Sequence, residues 1–206
     1  MKTNGTYIAA RGKQENHFFI IIVPQQNGRM EIFMNTANIQ RTTAAENCLN
    51  TIEDFTTYYY QYPTILGNIT ISCTKDAITA IHLGTPIKTT GEKVRTAIMD
   101  KAFLEIKEYL EGKRKTFDIP LAPNGTAFQQ KVWNALLTIP YGETRTYSEI
   151  AEMIGNPKAC RAVGMANNKN PIIIMIPCHR IIGKNGSLVG YACGLETKEY
   201  LLNLES

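Results

Sequence analysis

The sequence predicts an α/β unit followed by a mainly helical one, and three features carry that prediction. From Tyr58, "YYYQYPTILGNITISCTKDAITAIHLG" mixes β-branched residues with partial alternation, as short strands do. "GEKVRTAIMDKAFLEIKEYLEG" then changes to helical spacing. Beyond residue 126, cap and stop signals mark a series of short helices.

Taken in order, the first 57 residues are polar and rich in Asn, Thr and Gln. They are interrupted by "HFFIIIVP", which reads as a buried strand, and they carry no recognisable chemistry. Turn signals at Leu66-Gly67-Asn68 and Lys75-Asp76 divide the next stretch into two or three antiparallel strands. A helix follows with Val94, Ile98, Ala102, Ile106 and Leu110 on one face, and Gly112 is placed to end it. "TFDIPLAPNGTAF", with two prolines and an Asn-Gly step, reads as a linker.

The helical unit begins with a helix from about Ala127 to Leu137 that points Phe128, Val132, Trp133 and Leu136 inward. Thr146-Tyr147-Ser148-Glu149 has the form of a capping box. It starts a short helix with Ile150, Met153 and Ile154 as its apolar stripe and Gly155 as its stop. Asn156 and Pro157 suit the N-cap and first position of the next helix, "PKACRAVGMANN", so the tight "GNP" turn makes a helix-turn-helix. The predicted division is an N-terminal extension at 1–57, a sheet-and-helix domain with linker at 58–120, and a helical domain at 121–206.

Composition narrows the class of function. An apolar fraction of 44% is enough for a core, no stretch approaches the ~20 apolar residues of a membrane span, and "MKTNGTYIAARGKQ" lacks the apolar centre of a secretory signal. The expected location is cytoplasmic. Cysteines 48, 73, 160, 178 and 193 are odd in number and widely spaced, which suits free thiols better than disulfides. With His17 and His82 they match no compact metal-ligand pattern, so no metal is expected. Net charge is only +4, but no acidic residue lies between Glu152 and Glu196, while Lys158, Arg161, Lys169, Arg180 and Lys184 all do. A cationic face there would attract a polyanion. The helix beginning at Pro157 is thin, with Ala159, Ala162, Gly164 and Ala166 around Arg161, as close approach to a narrow surface requires. Tight helix packing with Arg161 solvated is the other reading.

"PIIIMIPCHRIIG" places the candidate chemistry. "PIIIMI" reads as a buried strand, Pro177 ends it, and Cys178 would then start a helical turn whose free N–H groups lower the thiol pKa. His179 is adjacent, but neighbouring side chains diverge, so a water would have to relay a proton between them. A carboxylate should orient the imidazole, and Glu196, Glu199 and Glu205 are the candidates. A buried structural thiol beside a surface histidine is the alternative for a lone Cys-His pair.

Four motifs in order, "YGETRTYSEIA", "GNPKACRAVG", "NPIIIMIPCHRIIG" and "GLETKEYLL", closely resemble the O6-alkylguanine-DNA alkyltransferase family, the methylated-DNA–protein-cysteine methyltransferases. The resemblance is dense over 126–205. It implies a small ribonuclease-H-like N-terminal domain followed by a helix-turn-helix, winged-helix-like catalytic domain. The implied function is DNA repair in a single, irreversible event, the alkyl group passing from O6 of guanine to Cys178. His179 is implied as the water-mediated base, Glu199 as its orienting carboxylate, and Asn170 as the residue shaping the turn. Tyr147 is implied to assist base flipping and donate to the departing guanine, with Arg161 filling the vacated stack and Ala159 and Cys160 facing DNA in the minor groove. Tyr191, Ala192 and Cys193 are implied to line the guanine pocket, where many relatives carry serine, glycine or a bulkier residue after the tyrosine. The implied partner is double-stranded DNA carrying O6-alkylguanine, bound by a monomer with no cofactor, no membrane and no obligatory protein partner.

Three other readings conflict with particular residues. A binding-only relative would lack the acceptor cysteine. A transcription regulator would carry several base-reading side chains on its recognition helix rather than mainly Arg161. A Cys-His hydrolase normally takes nucleophile and base from distant parts of the chain.

Overall fold

In the computed structural model, residues 6–8, 20–24, 30–34, 56–84 and 91–206 are described. The chain divides into two units, 1–55 and 56–206. In the first, strands β1 (Thr6–Ile8), β2 (Ile20–Pro24) and β3 (Met30–Met34) pair antiparallel in sequence order. The predicted strand in "HFFIIIVP" is therefore present as β2; its predicted burial, and Cys48 and His17, lie outside the described residues.

The second unit opens with an antiparallel sheet of β4 (Tyr58–Thr64), β5 (Gly67–Cys73) and β6 (Ile78–Leu83); the second turn lies at the predicted Lys75-Asp76, and the first is Ile65-Leu66, one residue before the predicted site, with Gly67 and Asn68 already paired in β5. Helix α1 (Ala97–Leu110) packs Met99, Ala102 and Ile106 against Ile69, Ile71 and Ile81 of the sheet, all fully buried. Val94, expected on this stripe, lies before the helix and is exposed, because Thr96 is the N-cap. A strict period of four drifts about 40° per step around a helix, so the inward face instead mixes steps of three and four from Met99 to Leu110. Gly112, at φ +71°, closes the end: its N–H donates to Tyr109 O and that of Lys113 donates to Glu108 O.

The outer edge of β6 is covered by two segments of the following domain. Ile78 exchanges backbone hydrogen bonds with Pro120 and Ala122, so the expected linker is docked along the sheet. Ile81 N–H donates to Pro171 O, and Ile173 N–H donates to Ile81 O. The small sheet thereby anchors the chain just ahead of Cys178.

Four helices complete the fold: α2 (Ala127–Leu137), α3 (Tyr147–Met153), α4 (Cys160–Asn168) and α5 (Leu195–Leu204). α2 has the predicted limits, and Val132, Trp133 and Leu136 are buried, with Phe128 packed at the margin. The indole Nε1–H of Trp133 donates to Ala166 O at 2.9 Å and ties α2 to α4. Both parts of the Thr146–Glu149 capping box form at the start of α3. Met153 is half exposed and Ala151 takes its expected place in the core beside Ile150.

Asn156 and Pro157 do not start α4. Ala159 N–H bonds Asn156 O in a separate turn, Ala159 is the N-cap, and no side chain caps the helix. A two-strand parallel ladder, β7 (Arg145–Thr146) with β8 (Ile181–Ile182), joins the start of α3 to the chain leaving Cys178. No helix among the described residues is long and apolar enough to cross a membrane.

Candidate active site

The run "PIIIMI" is buried but is not a strand. Ile176 N–H donates to Ile172 O and Met175 N–H to Ile173 O, so the run coils tightly, with Ile174 at φ +70°. A β-branched residue resists that conformation, and the cost is of order 1–3 kcal/mol. Asn170 helps offset it. Its Oδ1 accepts from Ile172 N–H at 3.0 Å, and its Nδ2 donates to Ile176 O at 2.8 Å and to Cys178 Sγ at 3.1 Å. One amide therefore holds both the turn and the thiol. Periodicity misled here because a short apolar run fits a buried turn as well as a buried strand.

Cys178, His179 and Arg180 form a single 3-10 turn after Pro177, all buried. The expected activation by free N–H groups does not occur. Cys178 N–H already bonds Ile176 O, and a three-residue turn has no appreciable dipole. Burial pushes the thiol up to about 11, only partly countered by the Asn170 hydrogen bond.

The His179 ring is fully buried. Its Nε2 lies 3.1 Å from Glu205 Oε1 and 3.3 Å from the Tyr109 hydroxyl, whereas Nδ1 is buried with no protein partner. Burial lowers the imidazole pKa, which favours the neutral form. A proton on Nε2 would face the carboxylate and leave Nδ1 as the free base.

The orienting carboxylate is Glu205. Glu199 is exposed on α5 and does not occupy that place. Glu205 accepts from Arg180 at both oxygens, at 2.7 and 2.8 Å, and from Tyr109 at 2.6 Å and Gly142 N–H at 3.2 Å. Burial alone would raise its pKa; the hydrogen bonds from His179, Arg180 and Tyr109 overcome that and hold it far below the usual carboxylate range. Arg180 is thus not part of the expected cationic face: it is buried, bonded to Glu205 and Ile139 O. Helical spacing could have identified the right glutamate, since Glu205 lies seven residues after Lys198 and four after Leu201, the buried face of α5.

Around this centre, the Tyr147 hydroxyl donates to Val189 O at 3.1 Å, and Gly164 leaves ordinary van der Waals space beside the Tyr147 ring. Burial, then the nearby Cys178 and Cys160, raise the Tyr147 pKa. The Tyr191 hydroxyl is buried close to the Cys178 thiol; burial and then Cys178 and Cys193 raise its pKa. Cys193 is half-buried and Ala192 exposed. Lys198, unremarked in the sequence, is fully buried and donates through Nζ to Ile181 O and to Val189 O, fixing the loop that also receives Tyr147. Asn167, equally unremarked, donates to Cys178 O at 3.4 Å.

Arg161 is exposed, as are Cys160 and Ala162, while Ala159 and Gly164 are half-buried. Lys158, Lys169 and Lys184 are exposed as well. Among the described residues no group of three or more His, Cys, Asp or Glu side chains could hold a metal ion.

Comparison with known proteins matches both halves of the second unit. The 6-O-methylguanine DNA methyltransferase DNA-binding domain matches residues 127–206, and the ribonuclease-like domain of the same enzyme matches 57–123. A constitutive methylated-DNA–protein-cysteine methyltransferase of Bacillus subtilis is 46% identical over 157 residues, 72% of this chain and 94% of the relative. A Methanosarcina acetivorans protein of the same name is 64% identical over 105 residues, 51% of this chain and 67% of that one. The crystal structure of Mycobacterium tuberculosis OGT in complex with DNA superposes with a TM-score of 0.69 at 42% identity, covering 72% of this chain and 92% of that one.

Proposed function

The chain belongs to the methylated-DNA–protein-cysteine methyltransferase family, and on that premise we propose that it repairs DNA by moving the alkyl group of O6-alkylguanine irreversibly onto Sγ of Cys178. The observation that carries this reading is the buried thiol held by Asn170 in the same turn as an imidazole whose Nε2 is committed to Glu205 and whose Nδ1 is free.

The thiol proton leaves through one bridging water to His179 Nδ1, and Glu205 stabilises the imidazolium that forms. Sγ attacks the alkyl carbon, the carbon–O6 bond breaks with its electron pair, and the guanine leaves after taking a proton from Tyr147. The S-alkyl thioether is not cleaved, so each molecule acts once. A thiol near 11 is protonated at rest and, once ionised, a strong nucleophile. Burial in this way confines its reactivity to a substrate that brings the alkyl carbon into the pocket.

Double-stranded DNA is the proposed partner, bound by a monomer. α4 enters the minor groove, where Ala159, Cys160, Ala162 and Gly164 permit close approach. Tyr147 helps turn the damaged nucleotide outward and Arg161 occupies the gap, offsetting part of an unstacking cost of a few kcal/mol. Tyr191, Ala192 and Cys193 line the pocket that receives the guanine. The protein requires no cofactor in this scheme.

Incubation with excess O6-methylguanine duplex tests the proposal. One methyl equivalent per protein should transfer in a burst with no turnover, and Cys178→Ala should bind the duplex but transfer nothing. Continued turnover, or transfer by Cys178→Ala, contradicts it.

A further inference from the structure

We infer that Tyr109, on helix α1 of the ribonuclease-like domain, is a positioning residue for the reaction: its hydroxyl, fixed on Glu205, holds the His179 proton on Nε2 and leaves Nδ1 as the base. This rests on the function proposed above and assigns to the N-terminal domain a part in chemistry otherwise carried by residues 139–205.

The geometry is specific. Tyr109 is fully buried and reaches from a helix that otherwise packs on the small sheet. Its hydroxyl donates to Glu205 Oε1 at 2.6 Å while its oxygen lies 3.3 Å from His179 Nε2. Glu205 does not need this bond to be neutralised, because Arg180 grips both oxygens and Gly142 N–H supplies another donor. What Tyr109 adds is direction. With its single proton committed to Glu205, the phenol can only accept from Nε2, so Oε1 and the tyrosine oxygen together form a two-acceptor cradle for one imidazole N–H. The opposite tautomer would turn an Nε2 lone pair toward the carboxylate and leave Nδ1 protonated, unable to take the thiol proton. Tyr141, by contrast, stands at 83° to the Tyr109 ring and donates to the backbone Leu204 O, a bond that fixes chain position alone.

The charged and titratable groups bearing on the imidazole are Glu205, Arg180, Lys198 and Tyr109, with Cys178 next to it in the turn; Tyr141 and Tyr191 bear on Tyr109. Removing the Tyr109 hydroxyl takes one of the two acceptors from Nε2–H, while Arg180 and Gly142 still satisfy Glu205. The ring is then held less firmly, the imidazolium is harder to form, and His179 gives up its proton at lower pH.

The test is single-turnover methyl transfer by Tyr109→Phe across the pH range in which histidine titrates, with nitrogen NMR of the His179 ring in unreacted protein. We expect a roughly tenfold slower transfer, the scale of one hydrogen bond to a charged group. The acid limb of the rate should move to lower pH while affinity for the duplex is unchanged. Wild-type NMR should show the proton on Nε2, and this reading needs neither a variant nor any transfer. An Nδ1 proton in the wild type, or a Tyr109→Phe protein with unchanged rate and unchanged acid limb, overturns the inference. Failure of the wild type to methylate Cys178 would instead remove the proposed function, and the two failures are distinguishable.

Discussion

The turn around Cys178 and the helix α4 face opposite requirements with opposite materials. The turn is buried and densely hydrogen-bonded: Asn170 braces the loop and the thiol, and Arg180, Tyr109, His179 and Gly142 converge on one carboxylate. Helix α4 carries small residues and an exposed Arg161, and its start has no side-chain cap. The difference teaches that the candidate chemistry is a property of the fold, assembled from segments nearly a hundred residues apart, whereas the candidate recognition surface is local and leaves its groups available to a partner. Damage to the first should therefore cost stability and chemistry together. Damage to the second should cost chemistry on duplex DNA alone.

The largest effect should come from Glu205→Gln. It leaves the buried Arg180 guanidinium without its countercharge, a loss of about 3–5 kcal/mol. Urea denaturation should register that loss, while Glu199→Gln should change stability by less than about 0.5 kcal/mol. Equal effects would return the orienting role to Glu199.

Acidification should act on the same region. His179 has a folded pKa below its ordinary 6.5, so the unfolded chain takes its proton first and stability falls as pH drops through that value. Glu205 adds to the trend: its folded pKa is depressed, so its contribution is complete above its ordinary 4.5 and is lost as pH falls below. Thermal melts at decreasing pH should therefore decline in two stages, and Glu205→Gln should flatten the lower one. A melting temperature independent of pH across both windows would contradict these assignments.

Arg161→Ala probes the other side of the comparison. Transfer from paired duplex should slow by about tenfold, while transfer from the free base and the unfolding free energy stay within error. Equal slowing on both substrates would make Arg161 a structural residue. Thr146→Ala is the mildest change. It removes the capping box that starts α3 and should cost about 1 kcal/mol by urea titration.

Legibility in the sequence followed the same division. Local signals were readable because local physics decides them: the capping box at Thr146, the stops at Gly112 and Gly155, and the limits of α2 all appear where spacing places them. The start of α4 was less so, because Asn156 spends its carbonyl on a separate turn before the helix begins. "PIIIMI" reads as a strand in the sequence because hydrophobicity reports burial and not backbone direction, and the residue that coils it, Asn170, acts through its side chain. Of the His179 partners, Glu205 is among the three candidate carboxylates in the sequence, whereas Tyr109 has no local signal. Tyr109 and Glu205 are 96 residues apart, and only tertiary folding brings them to 2.6 Å. Arg180 read as surface charge because nothing local reveals a buried countercharge.

On the proposed function, the buried Cys178, and no other thiol of the pocket or of α4, accepts the alkyl group. Peptide mass mapping after reaction with O6-methylguanine duplex tests it most directly. A single methyl should appear on the peptide containing Cys178, with Cys160 and Cys193 unmodified. A methyl on Cys193 or Cys160, or an unmodified Cys178, would contradict it.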